Sequence, residues 1–221
     1  MPDNIGQYID HTLLRPTATA EDIVRLCTEA CEHQFRAVCV FPAHVPKAHE
    51  MLSKTAVRVA TVIAFPFGVT FKEVKAAELA AAAEQGATEA DFVLNISSIK
   101  SGNDAFVEAE MQYLTDLARQ LGVVSKAIIE TGCLSDDEKV RLCRIANRVG
   151  PDYLKTSTGY GPSGATVADV QLMRATLRSE IQIKASGGIR SYADAVSMLE
   201  AGASRIGTSS GVAIVEESER L

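Results

Sequence analysis

A single (β/α)8 barrel spanning residues 1–221 is the fold this sequence predicts, and three observations predict it. Eight short apolar runs occur along the chain, each followed by a helix signal or by room for one. Strand and amphipathic helix alternate strictly, which gives parallel sheets, and eight such units close naturally into a barrel. No linker, low-complexity stretch or shift in composition divides the chain. A doubly wound open sheet is the alternative that this pattern leaves open.

The strands are expected at Tyr8–Leu13, Ala37–Phe41, Val57–Ala64, Asp91–Ile96, Val124–Glu130, Tyr153–Thr156, Ile181–Ala185 and Arg205–Thr208. Helix starts are marked by a hydroxyl or amide residue whose side chain can accept from a free backbone N–H. Thr19-x-x-Asp22, Thr70-x-x-Glu73 and Ser135-x-x-Glu138 read as capping boxes, and Asn103, Thr166 and Ser191 open further helices. Gly86, Gly122, Gly150 and Gly202 supply helix stops. Val45–Leu52 is read as a helix with Pro46 near its start, and Gly211–Glu217 as a short last helix. Phe65-Pro-Phe-Gly68 and Ser97–Gly102 read as breaks.

Composition narrows the function classes. The chain has 221 residues, 47% hydrophobic and 23% charged, which suffices for one large core. A net charge of −6 argues against a nucleic-acid partner or an anionic membrane surface. No apolar run is long enough to span a bilayer, so no membrane partner is expected. The opening Met-Pro-Asp-Asn-Ile-Gly has neither a basic region nor an apolar core, so a secretory leader is not expected. Five cysteines without a Cys-x-x-Cys suggest free thiols in a reducing cytosol. The four histidines all lie before residue 50 with no ligand spacing, so no metal site is expected.

Two stretches carry the chemistry. Asp152-Tyr-Leu-Lys-Thr-Ser-Thr-Gly159 ends an apolar strand on Lys155, and Ile181-Gln-Ile-Lys-Ala-Ser-Gly-Gly188 ends another on Lys184. Alone, a strand-end lysine is read as a side chain whose head reaches water. A second copy on the next strand changes that reading. Active sites of such barrels lie at the C-terminal ends of the strands. Side chains alternate along a strand, so if Ile181 and Ile183 pack outward, Lys184 points into the barrel. The same parity turns Asp91 and Lys126 inward. Several lysines with few carboxylates would then share a poorly solvated space, and burial with like charge favours a neutral amine. A neutral lysine can form a Schiff base with a carbonyl. A structural Lys–Asp network without chemistry is the bland reading of the same residues.

Glycine-rich loops follow the last two strands. Ser186-Gly-Gly-Ile-Arg190 and Gly207-Thr-Ser-Ser-Gly211 are placed where such barrels often bind phosphate. Two other matches mislead. Gly159-Tyr-Gly-Pro-Ser-Gly164 fits G-x-G-x-x-G but lacks the acid expected about 20 residues on, so it is read as a βα loop near the substrate. Gly207-Thr-Ser-Ser-Gly211 fits G-x-S-x-G, but no histidine follows it in the chain, which excludes that hydrolase arrangement.

These residues resemble the deoxyribose-phosphate aldolases, a family of class I aldolases. The resemblance runs end to end. It rests on Asp10-His-Thr-Leu-Leu-Arg-Pro16, Val38-Cys-Val40, Val62-Ile-Ala-Phe-Pro-x-Gly68, Asp91-Phe-Val-Leu-Asn95, Ile129-Glu-Thr131 and Arg205-Ile-Gly-Thr-Ser-Ser210. The two lysine motifs, Lys155-Thr-Ser-Thr-Gly159 and Lys184-Ala-Ser-Gly-Gly-Ile-Arg190, are its most specific part. The resemblance implies reversible cleavage of 2-deoxy-D-ribose 5-phosphate to D-glyceraldehyde 3-phosphate and acetaldehyde. It implies Lys155 as the Schiff-base lysine, Lys184 as the second lysine and Asp91 as the acidic partner. It places Gly187, Gly188, Gly207, Ser209 and Ser210 at the phosphate, with Thr158 and Gly159 in the wall that receives the sugar. No metal or organic cofactor is implied, and the partners are small sugar phosphates and aldehydes. Many barrels of the family are dimers, so a homo-oligomer is expected. Two positions depart from relatives. Tyr160 stands where some have lysine, and the sequence ends at Leu221 without the C-terminal tyrosine of some members, so the proton is expected to pass through water. Asp91 is placed at the start of its strand, deeper than the lysines. A barrel acting on another sugar phosphate, and a silent phosphate-metabolite-binding protein, are the rival readings.

Overall fold

Eight strands pair in sequence order, all in parallel, and the last closes on the first. The computed structural model describes residues 4–220. Residues 1–3 and Leu221 lie outside that range, and with them the beginning of the N-terminal segment and the position of any tail. The strands are β1 Ile9–Leu13, β2 Ala37–Val40, β3 Arg58–Ile63, β4 Glu89–Val93, β5 Val124–Ile128, β6 Tyr153–Lys155, β7 Gln182–Ser186 and β8 Arg205–Thr208. The α-helices are α1 Ala20–Glu32, α2 Val45–Leu52, α3 Lys72–Glu84, α4 Ile96–Lys100, α5 Asp104–Gln120, α6 Asp136–Val149, α7 Val167–Thr176, α8 Tyr192–Glu200 and α9 Gly211–Ser218. The closed barrel decides against the open sheet.

The helix starts follow the sequence logic in most places. Thr19, Ser135 and Ser191 form reciprocal capping boxes with Asp22, Glu138 and Asp194. Asn103 and Thr166 each accept from the backbone three residues on. Three expectations need correction. Thr70 does not cap α3: the helix begins at Lys72 after Phe71, with no side-chain cap. Ser97–Gly102 is not a plain break, because Asn95 accepts from Ser98 N–H and opens the short α4. β4 runs Glu89–Val93, two residues ahead of the expected start, because the acidic Glu89 faces cationic partners inside the barrel.

Two apolar regions result from the alternation of side chains. The main core lies between barrel and helices and includes Phe92, Leu94, Leu154, Ile183 and Ile206. Each such side chain, fully buried, contributes roughly 1.5–3 kcal/mol. A separate small cluster, Leu14, Ala37, Cys39, Ala60 and Val62, gathers residues of β2 and β3 with the residue that follows β1. Buried ions from the other strands occupy the rest of the interior. A buried ion pair also anchors the exit of β4. Lys75 of α3 contacts Glu110 of α5 at 2.8 Å and donates to the Val93 carbonyl at 2.7 Å. Glu110 in turn accepts from Asn95 N–H at 2.8 Å.

Candidate active site

Register sets Lys155, Lys184 and Arg205 in one row, and Asp91 and Lys126 in the row of Tyr153, two residues deeper. Lys155 of β6 pairs with Lys184 of β7, and Lys184 pairs with Arg205 of β8. Asp91 of β4 pairs with Lys126 of β5. All five are buried. Asp91 is the third residue of its strand, not the first, which corrects the expectation that it lies at the strand start. Its Oδ2 is 2.7 Å from Lys155 Nζ and 2.7 Å from Lys184 Nζ, and its Oδ1 is 2.7 Å from Lys126 Nζ. One carboxylate therefore joins three lysines.

The interior is also richer in carboxylates than the sequence reading allowed. Asp10 of β1 accepts from Lys184 Nζ and, at 2.6 Å, from Arg205 Nη1. Glu89 lies 2.8 Å from Lys126 Nζ and 3.0 Å from Arg205 Nη1. Four buried cations thus face Asp10, Glu89 and Asp91, and the half-exposed Arg58 reaches Glu89 at 3.4 Å. If Lys155 is neutral, the charges of the buried groups balance. Lys155 is also the cation with the weakest support. It touches one carboxylate, whereas Lys184, Lys126 and Arg205 each touch two at close range.

The proton affinities follow from these contacts. Burial pushes Lys155 below the ordinary 10.5, with Asp91 opposing and Lys184 assisting. Burial acts on Lys184 in the same sense, but Asp10 and Asp91 outweigh it and hold its proton more tightly than usual. Lys126 is raised for the same reason, against burial, by Asp91 and Glu89. Burial alone would raise Asp91, but Lys126, Lys155 and Lys184 hold it well below the carboxylate range. Asp10 is likewise lowered against burial, chiefly by Lys184 and Arg205. The site is therefore an anionic Asp91 between a proton-holding Lys184 and a Lys155 biased toward free amine.

Above Lys155 opens a cavity of about 400 Å³. Lys155, Thr158, Gly159, Gly187, Gly188, Gly207 and Ser209 all wall it. Lys184 and Asp91 sit beneath it, out of its wall. Ser210 is not in the wall either: it precedes α9, and its N–H donates to Thr208 Oγ1 at 2.9 Å. Gly187 and Gly188 both have left-handed φ, +85° and +79°, so the turn after β7 presents backbone rather than side chain.

A family model described as DeoC/LacD family aldolase matches residues 5–217. This chain belongs to that family. Among its relatives is a deoxyribose-phosphate aldolase of Caldanaerobacter subterraneus, 51% identical over 97% of this chain and 93% of the relative. Another, from Thermococcus gammatolerans, is 50% identical over 96% of each chain. A solved structure described as a unique tetrameric deoxyribose phosphate aldolase from Aeropyrum pernix superposes with a TM-score of 0.91. It is 36% identical, over 97% of this chain and 91% of that one.

Several residues of this aldolase-family site were not read from the sequence as site residues. Asp10, Glu89 and Arg205 complete the ion network, although Asp10 and Arg205 were visible only as ends of matching stretches. Arg15 and Arg190 line the cavity beside the glycine turn. Glu130 is buried with a left-handed φ of +56°, and both of its oxygens accept from Thr158 N–H at 3.3 Å. It also accepts from the Thr158 hydroxyl. That carboxylate fixes the loop leaving Lys155. Parity was a signal that could have found Glu89, because it lies two residues before Asp91 and shares its inward face.

Proposed function

We propose that this chain is a class I aldolase that reversibly cleaves 2-deoxy-D-ribose 5-phosphate to D-glyceraldehyde 3-phosphate and acetaldehyde, with Lys155 as the Schiff-base lysine. One observation carries the assignment of the nucleophile. Of the buried cations, Lys155 has a single carboxylate contact and alone reaches the cavity. A neutral amine there is the nucleophile that a carbonyl substrate requires.

The steps follow from the charges. The Lys155 amine adds to C1 of the open-chain aldehyde, and the carbinolamine hydroxyl leaves as water after taking a proton from the Lys184 side. The resulting iminium is an electron sink. The C3 hydroxyl loses its proton, the C2–C3 bond breaks, and its electrons pass through C2 to the iminium nitrogen. Glyceraldehyde 3-phosphate departs and an enamine remains. Protonation at the enamine carbon and hydrolysis then release acetaldehyde and the amine. Asp91, in contact with both lysines, relays protons between them. The phosphate sits at Gly187, Gly188, Gly207 and Ser209, with Arg15 and Arg190 supplying charge and Thr158 and Gly159 facing the sugar. Ser210 precedes α9 without capping it and stands outside this wall.

The same reading extends to assembly and compartment. The chain acts as a homo-oligomer, in its simplest form a dimer, and exposed Phe71, Val74 and Tyr113 on and beside α3 and α5 offer apolar surface for it. Sedimentation as a monomer at working concentration would overturn this. Free Cys27, Cys31, Cys39, Cys133 and Cys143 suit a reducing cytoplasm.

The central test is trapping. Acetaldehyde and borohydride should add one ethyl group to Lys155, located by peptide mass mapping. Lys155→Ala should abolish both adduct and deoxyribose-phosphate cleavage. An adduct on a different lysine, or cleavage retained in Lys155→Ala, would end the assignment.

A further inference from the structure

The barrel mouth holds a second cavity, of about 340 Å³, beside the one above Lys155. Its wall is mostly apolar, formed by Pro66, Phe67, Val69, Ile96, Cys133 and Pro162, with Glu130 also lining it. Thr158 and Tyr160 are the two residues that wall both cavities. Thr158 is buried and bound to Glu130, so it is part of the fixed floor. Tyr160 differs, since 53% of it is exposed. It leaves the loop after β6 and crosses to the end of β1, where its hydroxyl donates to the Leu14 carbonyl at 2.6 Å. Its ring meets Phe65 edge-on, with centroids 5.4 Å apart and an interplanar angle of 88°. The backbone beneath the ring is closely packed. A Cβ at Gly161 would lie 2.8 Å from the Glu130 carboxylate carbon, so the loop cannot easily slide.

The two compartments have opposite chemistry. One carries Arg15, Arg190 and the glycine turn, and suits an anionic or hydroxylated group. The other suits a hydrocarbon chain. We propose that Tyr160 is a specificity-determining residue, a partition that confines the acceptor aldehyde to the cationic compartment and closes the apolar one to it. This inference rests on the aldolase reading. In the synthetic direction the enamine carbon on Lys155 bonds to the acceptor carbonyl carbon. The acceptor oxygen takes a proton, and water releases the product from the lysine. With the Tyr160 ring in place, the acceptor tail is directed to Gly187–Arg190. Without it, the tail of an apolar aldehyde has a wall to lie against.

The test is aldol addition of acetaldehyde to two acceptors, glyceraldehyde 3-phosphate and hexanal, by wild type, Tyr160→Phe and Tyr160→Ala. Tyr160→Ala should raise kcat/KM for hexanal about tenfold or more, the scale on which a hydrophobic pocket distinguishes small apolar groups. Tyr160→Phe keeps the ring on Phe65 and should gain less. Adding Cys133→Phe to Tyr160→Ala fills the second cavity and should cancel the gain. Tyr160→Val is the replacement should Tyr160→Ala not fold. Borohydride trapping of acetaldehyde on Lys155 accompanies every variant. If wild type gives no adduct, the aldolase reading fails. If the adduct forms everywhere but hexanal gains nothing on loss of the ring, the partition is overturned and the aldolase reading stands. A gain that survives Cys133→Phe also overturns it, because the new room would then lie elsewhere.

Discussion

Replacing Lys184 with methionine should suppress Schiff-base formation at neutral pH, without removing the nucleophile. Both Lys155 Nζ and Lys184 Nζ lie 2.7 Å from the same Asp91 oxygen. They are therefore at most about 5.4 Å apart, and at an effective dielectric of about 20 their repulsion is about 3 kcal/mol. Methionine removes that repulsion while keeping the length of the side chain. It also leaves three buried cations for three carboxylates, so Lys155 is no longer the surplus among the buried charges. Asp10 keeps Arg205, and Asp91 keeps Lys126 and Lys155, so no carboxylate is stranded. The sign is fixed: losing a neighbouring cation raises the proton affinity of Lys155, and less free amine exists at any pH below it. At about 1.4 kcal/mol per factor of ten, the free-amine population at pH 7 falls about a hundredfold. The assay is the pH dependence of borohydride trapping by acetaldehyde, alongside kcat/KM for deoxyribose-phosphate cleavage. The acidic limb should move to higher pH in Lys184→Met, and trapping should recover in alkali. An unmoved limb with full trapping at pH 7 would refute the argument that Lys184 sets the state of Lys155. Recovered trapping without recovered cleavage would assign Lys184 a separate share in proton transfer.

Three other outcomes are expected. Asp91→Asn should lower kcat by about a hundredfold or more, the usual scale for a lost proton-transfer group, and urea titration should show a loss of stability of about 3–5 kcal/mol, since three buried lysines lose a partner. Asp10 and Asp91 bind protons more weakly in the folded chain than the ordinary 3.8, so their stabilisation is present above that pH. It is lost as pH falls below it toward their depressed values; a urea midpoint unchanged between pH 5 and pH 2.5 would contradict this. Gly187→Ala should raise KM for deoxyribose 5-phosphate more than Gly188→Ala does. A Cβ at Gly187 lies 3.0 Å from Gly164 Cα on a loop packed against it, whereas at Gly188 nothing is within 4 Å and only the left-handed backbone is strained. Equal effects would place the phosphate elsewhere.

The barrel was legible because its signals are local. Capping residues such as Thr19, Ser135 and Ser191 mark helix starts whatever surrounds them, and the inward parity of Lys184, Lys126 and Asp91 follows from alternation alone. What failed depends on distant partners. Glu89 reads as a loop residue until Arg205 and Lys126, from strands far along the chain, give its charge a reason to be inside. The count of carboxylates around the lysines was wrong for the same reason. Asp10 comes from β1, and only closure of the barrel brings Arg205 of β8 beside it. Thr70 has the spacing of a cap but loses that role to the turn at Phe71. Glu130 was invisible as the anchor of Thr158, because the bond joins the exits of β5 and β6.

The seam between β8 and β1 has a consequence for how the protein comes into being. Asp10 of β1 is made long before Lys184 of β7 and Arg205 of β8. Until β8 docks, Asp10 and Glu89 lack the guanidinium that they share, and the tally of charge around Lys155 differs from the finished one. The reactive amine is therefore not a property of the stretch that contains it. It emerges when β8 closes on β1, because only then is the set of charges around Asp10, Glu89 and Asp91 complete.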